Sequence, residues 1–232
     1  MTPAGRLLPG TAATLVALPM LAVLAAVLYG AAGADPALWE HLRQFVLPGV
    51  ARNTLVLVAG VVALALALGV GLAWLTAACD FPGRGFFAWA LLLPLALPAY
   101  VLAFVAVATL DFAGPVPSQL RAWFGPGASL PPIRSTGGVI AVLAFAFYPY
   151  VYLLARGAFL THGTRALEAG RSLGLGPWAA FFRVALPLAR PWVAAGGALV
   201  AMETLADFGA VAVFNYDTFT TAIYKSWFGL FS

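Results

Sequence analysis

The chain has 232 residues, 63% of them hydrophobic and only 9% charged, against the roughly 25% charged share of a soluble domain, which excludes an ordinary globular enzyme and points to an all-α polytopic transmembrane helical bundle. The single Cys79 excludes an internal disulfide framework, and neither His41 nor His162 has a Cys or His partner at metal-ligand spacing, so neither a metal site nor a cofactor is expected. The net charge of +4 sits on arginines in loops beside apolar runs, with no aromatic-interleaved basic face, and therefore reads as membrane topology and not as nucleic-acid binding.

The first apolar run, 10–30, imitates a secretory signal, with Arg6 ahead of it and small residues from Ala31 to Ala34 behind. It is longer than the ~7–15-residue signal core and close to the ~20 residues that cross a bilayer, so it reads as a retained span. A polar loop carrying Asp35, Glu40, His41, Arg43 and Arg52 leads to a second span, 53–78, about 39 Å long and therefore tilted or protruding. The turn Cys79-Asp80-Phe81-Pro82-Gly83-Arg84-Gly85 reverses the chain. In the third span, 86–110, Pro94 and Pro98 each free a backbone carbonyl. In lipid such a defect must be covered by protein or water, which predicts a place inside the bundle and not at its rim.

Residues 111–135, rich in Pro, Gly and Ser, read as an external loop with one short helical turn over 119–124. The fourth span, 137–159, carries Pro149 among Tyr148, Tyr150 and Tyr152; these tyrosines suit an interface belt or, alternatively, line a polar pathway. The fifth span, 192–213, is followed by nineteen residues too polar to cross a membrane. Glu203 and Asp207 are the two acids inside a predicted span, four residues apart and on one helix face. An acid at mid-membrane costs roughly 2.5–3.5 kcal/mol, so neither faces lipid. Either the carboxyls are hydrogen-bonded and hold the bundle together, or they line a possible translocation pathway, where hard oxygen ligands suit a hard cation.

Between the fourth and fifth spans lies the longest polar-punctuated passage of the chain, 160–190. It reads Glu168-Ala169-Gly170, three residues, Gly174, nine residues, Val184, one residue, Leu186-Pro187. Gly174-Leu175-Gly176 supplies a left-handed helix stop, and Pro177 suits the first position of a second short helix. That helix, 177–186, groups Trp178, Phe181, Phe182 and Ala185 on one side with Arg183 and Arg190 nearby, as in a helix lying in the lipid interface, and Pro187 ends it. The bland alternative is an ordinary amphipathic loop.

With its fixed gaps, the passage resembles the EAA loop of binding-protein-dependent ABC importer permeases, Gly170 standing for the second Ala and Val184 for Ile. The resemblance implies a type I ABC importer permease-like bundle with about five spans present. It makes 160–190 a cytoplasmic coupling loop whose Glu168, Ala169, Gly170, Gly174, Leu186 and Pro187 meet separate ABC ATPase subunits. Glu168 either caps the helix or pairs with a partner's cation. An extracytoplasmic solute-binding protein and a second permease half are the other implied partners, with membrane lipid around them. The chain has no Walker A sequence, and Asp207-Phe208-Gly209 lacks the rest of the kinase signature, so no ATPase site of its own is expected.

Beyond the loop, Glu203 to Gly209 and Thr218 to Tyr224 resemble the ferric-iron transport permeases, in which two similar halves each carry an EAA loop. The chain has a single loop and no internal repeat, so it is expected to be the first half, ending before its sixth helix. The resemblance implies ferric iron as cargo, with thiamine, polyamine and sulfate permeases sharing the same build; a non-transporting truncated membrane fragment is the other reading. With a cytoplasmic N-terminus in a bacterial inner membrane, Arg6, Arg84, Arg156, Arg165, Arg171, Arg183 and Arg190 lie inside, against Arg43, Arg52, Arg121, Arg134 and Lys225 outside.

Overall fold

A computed structural model of the protein describes residues 4–32, 36–163 and 174–229, and every regular element among them is helical. The chain divides into two compact units, Met1–Pro48 and Gly49–Ser232. In the first, α1 (Ala4–Ala32) is followed by α2 (Pro36–His41) and a π-helical turn, Leu42–Val46. The polar loop expected here is therefore largely helical. Good helix formers fill 37–47 with no internal Gly or Pro, and Glu40 pairs with Arg43 at 3.1 Å, one turn on.

Four helical stretches among the described residues are long and apolar enough to cross a membrane: Trp39–Ala78, Ala99–Phe124, Thr136–Thr161 and Trp178–Ala206. Shorter apolar helices occupy Ala17–Gly30 and Arg84–Ala96. The helix α3 (Leu47–Ala78) begins ahead of the expected span. Its last turn is capped by Arg84, which donates to the carbonyls of Thr76 at 2.8 Å and Ala77 at 2.9 Å and pairs with Asp80 at 2.6 Å. A cation at a helix C-terminus satisfies carbonyls that have no intrahelical donor.

The third span is a broken rod. It consists of α4 (Arg84–Ala90), a 3₁₀ turn (Leu93–Ala96) and α5 (Ala99–Leu110). Pro98 forces the preceding Leu97 into extended backbone, φ −108° and ψ 130°. The carbonyls at the break are covered by protein: the Tyr148 hydroxyl donates to Leu91 O at 2.8 Å and the Tyr152 hydroxyl to Ala88 O at 2.9 Å. The outward side of the same segment is open, with Phe86, Trp89, Leu93 and Phe104 all exposed, so the break is inside the bundle while the rod's far face is at its rim. The next helix, α6 (Pro115–Phe124), is longer than the single turn expected at 119–124, because Pro115 is well placed to start it without an amide donor.

The most deeply buried helix is α7 (Thr136–Ala158), started by Ser135, whose hydroxyl accepts the Gly138 N–H at 3.2 Å. After a π-helical turn at Phe159–Gly163 and the undescribed 164–173, the chain continues as α8 (Pro177–Ala180), another π-helical turn (Phe181–Ala185), then α9 (Leu186–Ala206), α10 (Gly209–Val213) and α11 (Phe219–Gly229). α9 packs along α7, and α10 along α5. Lipid offers no hydrophobic drive for joining helices, so close approach through small residues does this work. Val151, fully buried on α7, is met by Gly69 of α3 and Gly196 of α9.

Candidate functional site

Two places in Gly49–Ser232 gather the residues that the sequence singles out. The first is the arm between α7 and α9. Glu168, Ala169 and Gly170 lie outside the described residues. Gly174 has φ +79°, the left-handed region expected of a helix stop. A Cβ built there meets no described residue within 4 Å, so among the described residues the backbone torsion and not crowding calls for glycine.

Past the stop the structure departs from the expected interfacial helix. Pro187 does not end it: α8, the π-helical turn and α9 form one continuous stretch, Trp178–Ala206. Pro187 falls in the first turn of α9, after the wide π-helical turn, where an absent amide donor costs little. Nor do the four grouped side chains share one environment. Phe181 and Ala185 are buried, at 7% and 1% exposure, whereas Trp178 and Phe182 are 71% and 60% exposed. Phe181 packs on Trp74 of α3 at 4.8 Å and Phe159 at 6.3 Å, and Trp74 on Phe159 at 5.6 Å. This aromatic triad joins the arm's exit to α3 and to the end of α7. The sequence pattern missed it because Trp74 and Phe159 are far away in the chain.

The second place is a cavity of about 440 Å³ walled by the third-span break (Pro94 to Tyr100), by Ala146, Phe147 and Tyr150 of α7, and by Glu203 and Ala206 to Gly209. Irregular backbone at membrane depth is tolerated where it is buried or lines a water-filled space. Both predicted acids reach this wall, but not on one helix. α9 stops at Ala206, and Asp207 has extended backbone, ψ 128°. The helix expected to continue to Val213 is broken because the Asp207 carboxylate caps α10, accepting the Val211 N–H at 3.0 Å. The Asp207 carbonyl accepts a 2.7 Å hydrogen bond from Thr220. Thr220 belongs to the Thr-Phe-Thr-Thr segment, which also reaches α3 through the Phe219 N–H to Thr54 Oγ1, 3.3 Å.

The two carboxylates are thus chemically divided. Asp207 is committed to backbone donors, whereas Glu203, half-buried, has no hydrogen bond to any described residue. The tyrosines divide as well. Tyr148 and Tyr152 are buried and bound to the third span, not spread along an interface belt, and Tyr150 alone of the three lines the cavity. Among the described residues no group of three His, Cys, Asp or Glu side chains comes together to hold a metal.

Several apolar helices long enough to cross a bilayer, with a broken pair around a cavity, define a multi-pass membrane protein. The chain belongs to the family described as binding-protein-dependent transport system inner membrane component, which it matches over residues 65–227. It is similar to the molybdenum transport system permease protein ModB of Escherichia coli K12, with 31% identity over 149 residues, 64% of this chain and 63% of that protein. ModB of Azotobacter vinelandii is 34% identical over 160 residues, 69% of each chain. The Fe(3+)-transport system permease protein FbpB 2 of Haemophilus influenzae is 32% identical over 176 residues, 75% of this chain but 31% of that protein. The chain therefore spans a little under two thirds of the E. coli relative. The ferric-iron likeness read from the sequence has some support, but the comparisons leave the cargo open and favour the molybdenum permeases over the iron one.

Proposed function

We propose that the chain is the membrane-spanning permease subunit of an ABC importer, working with separate ABC ATPase subunits on the cytoplasmic side. A solute-binding protein on the other side and a second permease half complete the proposed assembly. The observation that carries this reading is the fixed-gap arm: Gly174 holds its left-handed stop and the aromatic triad of Trp74, Phe159 and Phe181 ties the arm's exit to the bundle. Such an arm transmits a push at 160–190 to α3, α7 and α9, and the cavity beside Glu203 is the transit chamber. The N-terminus is cytoplasmic in this reading. Reconstitution tests it: purified with the ATPase subunits, the chain should support ATP-dependent uptake into vesicles, and failure to hold an ATPase through purification would end the proposal.

Molybdate is the first cargo to test, because the named molybdenum permeases match at 31% and 34% identity over most of the chain. Ferric iron is kept as the second reading on a specific observation: the Glu203 carboxylate, which has no hydrogen bond to a described residue, and the Tyr150 phenol give the chamber hard oxygen ligands that suit a trivalent cation, and the carboxylate repels an oxyanion. Uptake of labelled molybdate and of labelled ferric iron, measured in parallel on the same vesicles, separates the two.

A further inference from the structure

Two helix interruptions face the same cavity, at Leu97-Pro98 and at Asp207-Phe208, and the helices that leave them pack on each other. At the cavity end, a Cβ on Gly209, the first residue of α10, would stand 2.7 Å from Tyr100 Cβ on α5, so the two helices are in direct contact there. At the far end, Arg134 reaches both helices. Its Nε donates to Asp111, just past α5, at 3.1 Å, and its Nη1 donates to the carbonyl of Val213, the last residue of α10, at 2.7 Å. Beneath this guanidinium is a second cavity of about 520 Å³, bordered by Phe104, Val107, Asp111, Gly114, Arg134 and Val213. The far end is therefore bridged beside this cleft by polar contacts, while Ala210 and Val211 nearer the break are fully buried. The buried residues of α5 are the small Ala103 and Val107, which leave little to interlock.

We infer that α5 and α10 form a two-helix flap, hinged at the paired breaks and latched by Arg134, whose release opens the chamber beside Glu203. Extended residues at both breaks absorb the torsional change, as hinge positions do. The cleft leaves room for the flap to tilt, and Arg134, placed just before the start of α7, anchors the latch to the helix that does not move. The inference needs no particular cargo and no ATPase.

The test is thiol accessibility in the full chain in detergent or vesicles. Ala146, on the chamber wall and only 2% exposed, is replaced by Cys, and its labelling by a small maleimide is compared with that of the native Cys79, beyond the end of α3. In an Arg134→Gln background the rate at position 146 should rise about fivefold, corresponding to roughly 1 kcal/mol for one ion pair with its hydrogen bond, with no change at Cys79. Asp111→Asn, which keeps the Val213 contact, should give a smaller rise, about twofold by the same reckoning, and serves as the second arm if Arg134→Gln fails to fold. An unchanged rate at position 146, or equal rises at 146 and at Cys79, would overturn the latch.

Discussion

Gly196 lies against the backbone of Val151: a Cβ added to it would stand 2.8 Å from the Val151 Cα. From the other side, a Cβ on Gly69 would stand 2.6 Å from the Val151 Cβ. The deepest helix is thus gripped by both neighbours at atoms that cannot be trimmed: the Cβ on Gly69 would also stand 2.9 Å from the Tyr148 carbonyl oxygen, and the Val151 Cβ it meets is one that alanine keeps. Gly196→Ala and Gly69→Ala should therefore each cost about 1–3 kcal/mol, and neither should be rescued by Val151→Ala. Unfolding in detergent, followed by helical signal for the single and double variants, checks this. Rescue at either site would contradict the geometry.

The tyrosine pair on α7 provides a second measurement. Tyr152 receives a 3.1 Å hydrogen bond from Thr76 and donates to Ala88 O, and Tyr148 donates to Leu91 O. Removing either hydroxyl leaves a carbonyl of the broken third span without a donor, away from water. Tyr152→Phe and Tyr148→Phe should each lower stability by about 1–3 kcal/mol, although both keep the ring. A neutral outcome would mean that water already reaches those carbonyls.

These contacts also show how far the sequence could be read. The prolines at 94 and 98 announced the break, because a missing amide and a restricted preceding residue are local properties, and Leu97 is extended as they require. The left-handed stop at Gly174 was legible for the same reason. What was not legible is pairing across the chain. Nothing in Tyr148-Pro149-Tyr150-Val151-Tyr152 says that two of its phenols are taken up by Ala88 and Leu91 while the third faces a cavity. The i, i+4 spacing of Glu203 and Asp207 was read as one helix face, yet a short acidic side chain beside Phe208-Gly209 found a better local partner in the amides of a new helix. Polar residues at breaks are where periodicity loses its authority.

Because the acids are divided in role, their substitutions should separate. Asp207→Ala removes the cap of α10 and should cost about 1 kcal/mol, whereas Asp207→Asn, which still accepts an amide, should cost less. Glu203→Gln should leave stability unchanged, since no hydrogen bond is lost. Its effect belongs to transport: at ~8 Å and an effective dielectric of ~20 a full charge is worth about 2 kcal/mol, so cation uptake should fall by about tenfold or more. Oxyanion uptake should stay level or rise. Thermal midpoints and uptake rates on the same preparations decide the matter, and a stability loss for Glu203→Gln would show a bonded, structural carboxyl.

The last prediction concerns the bend of the arm. At Gly174 the φ of +79° is strained for any residue with a Cβ, yet a Cβ there meets no described residue within 4 Å. Size is therefore not what a substitution must satisfy. Asn, which tolerates left-handed backbone, should be accepted, and Val, β-branched, should not. Gly174→Asn is expected to keep uptake near that of the parent. Gly174→Val should remain in the membrane, since the aromatic triad behind the arm is untouched, but its ATP hydrolysis should proceed without matching uptake. Gly174→Asp, which also tolerates this torsion but adds a charge at the proposed ATPase contact, should likewise stay inserted and lose coupling. If Val and Asn behaved alike, the torsion would not be what matters. If Gly174→Asp transported normally, the proposed contact with an ATPase at this bend would be wrong.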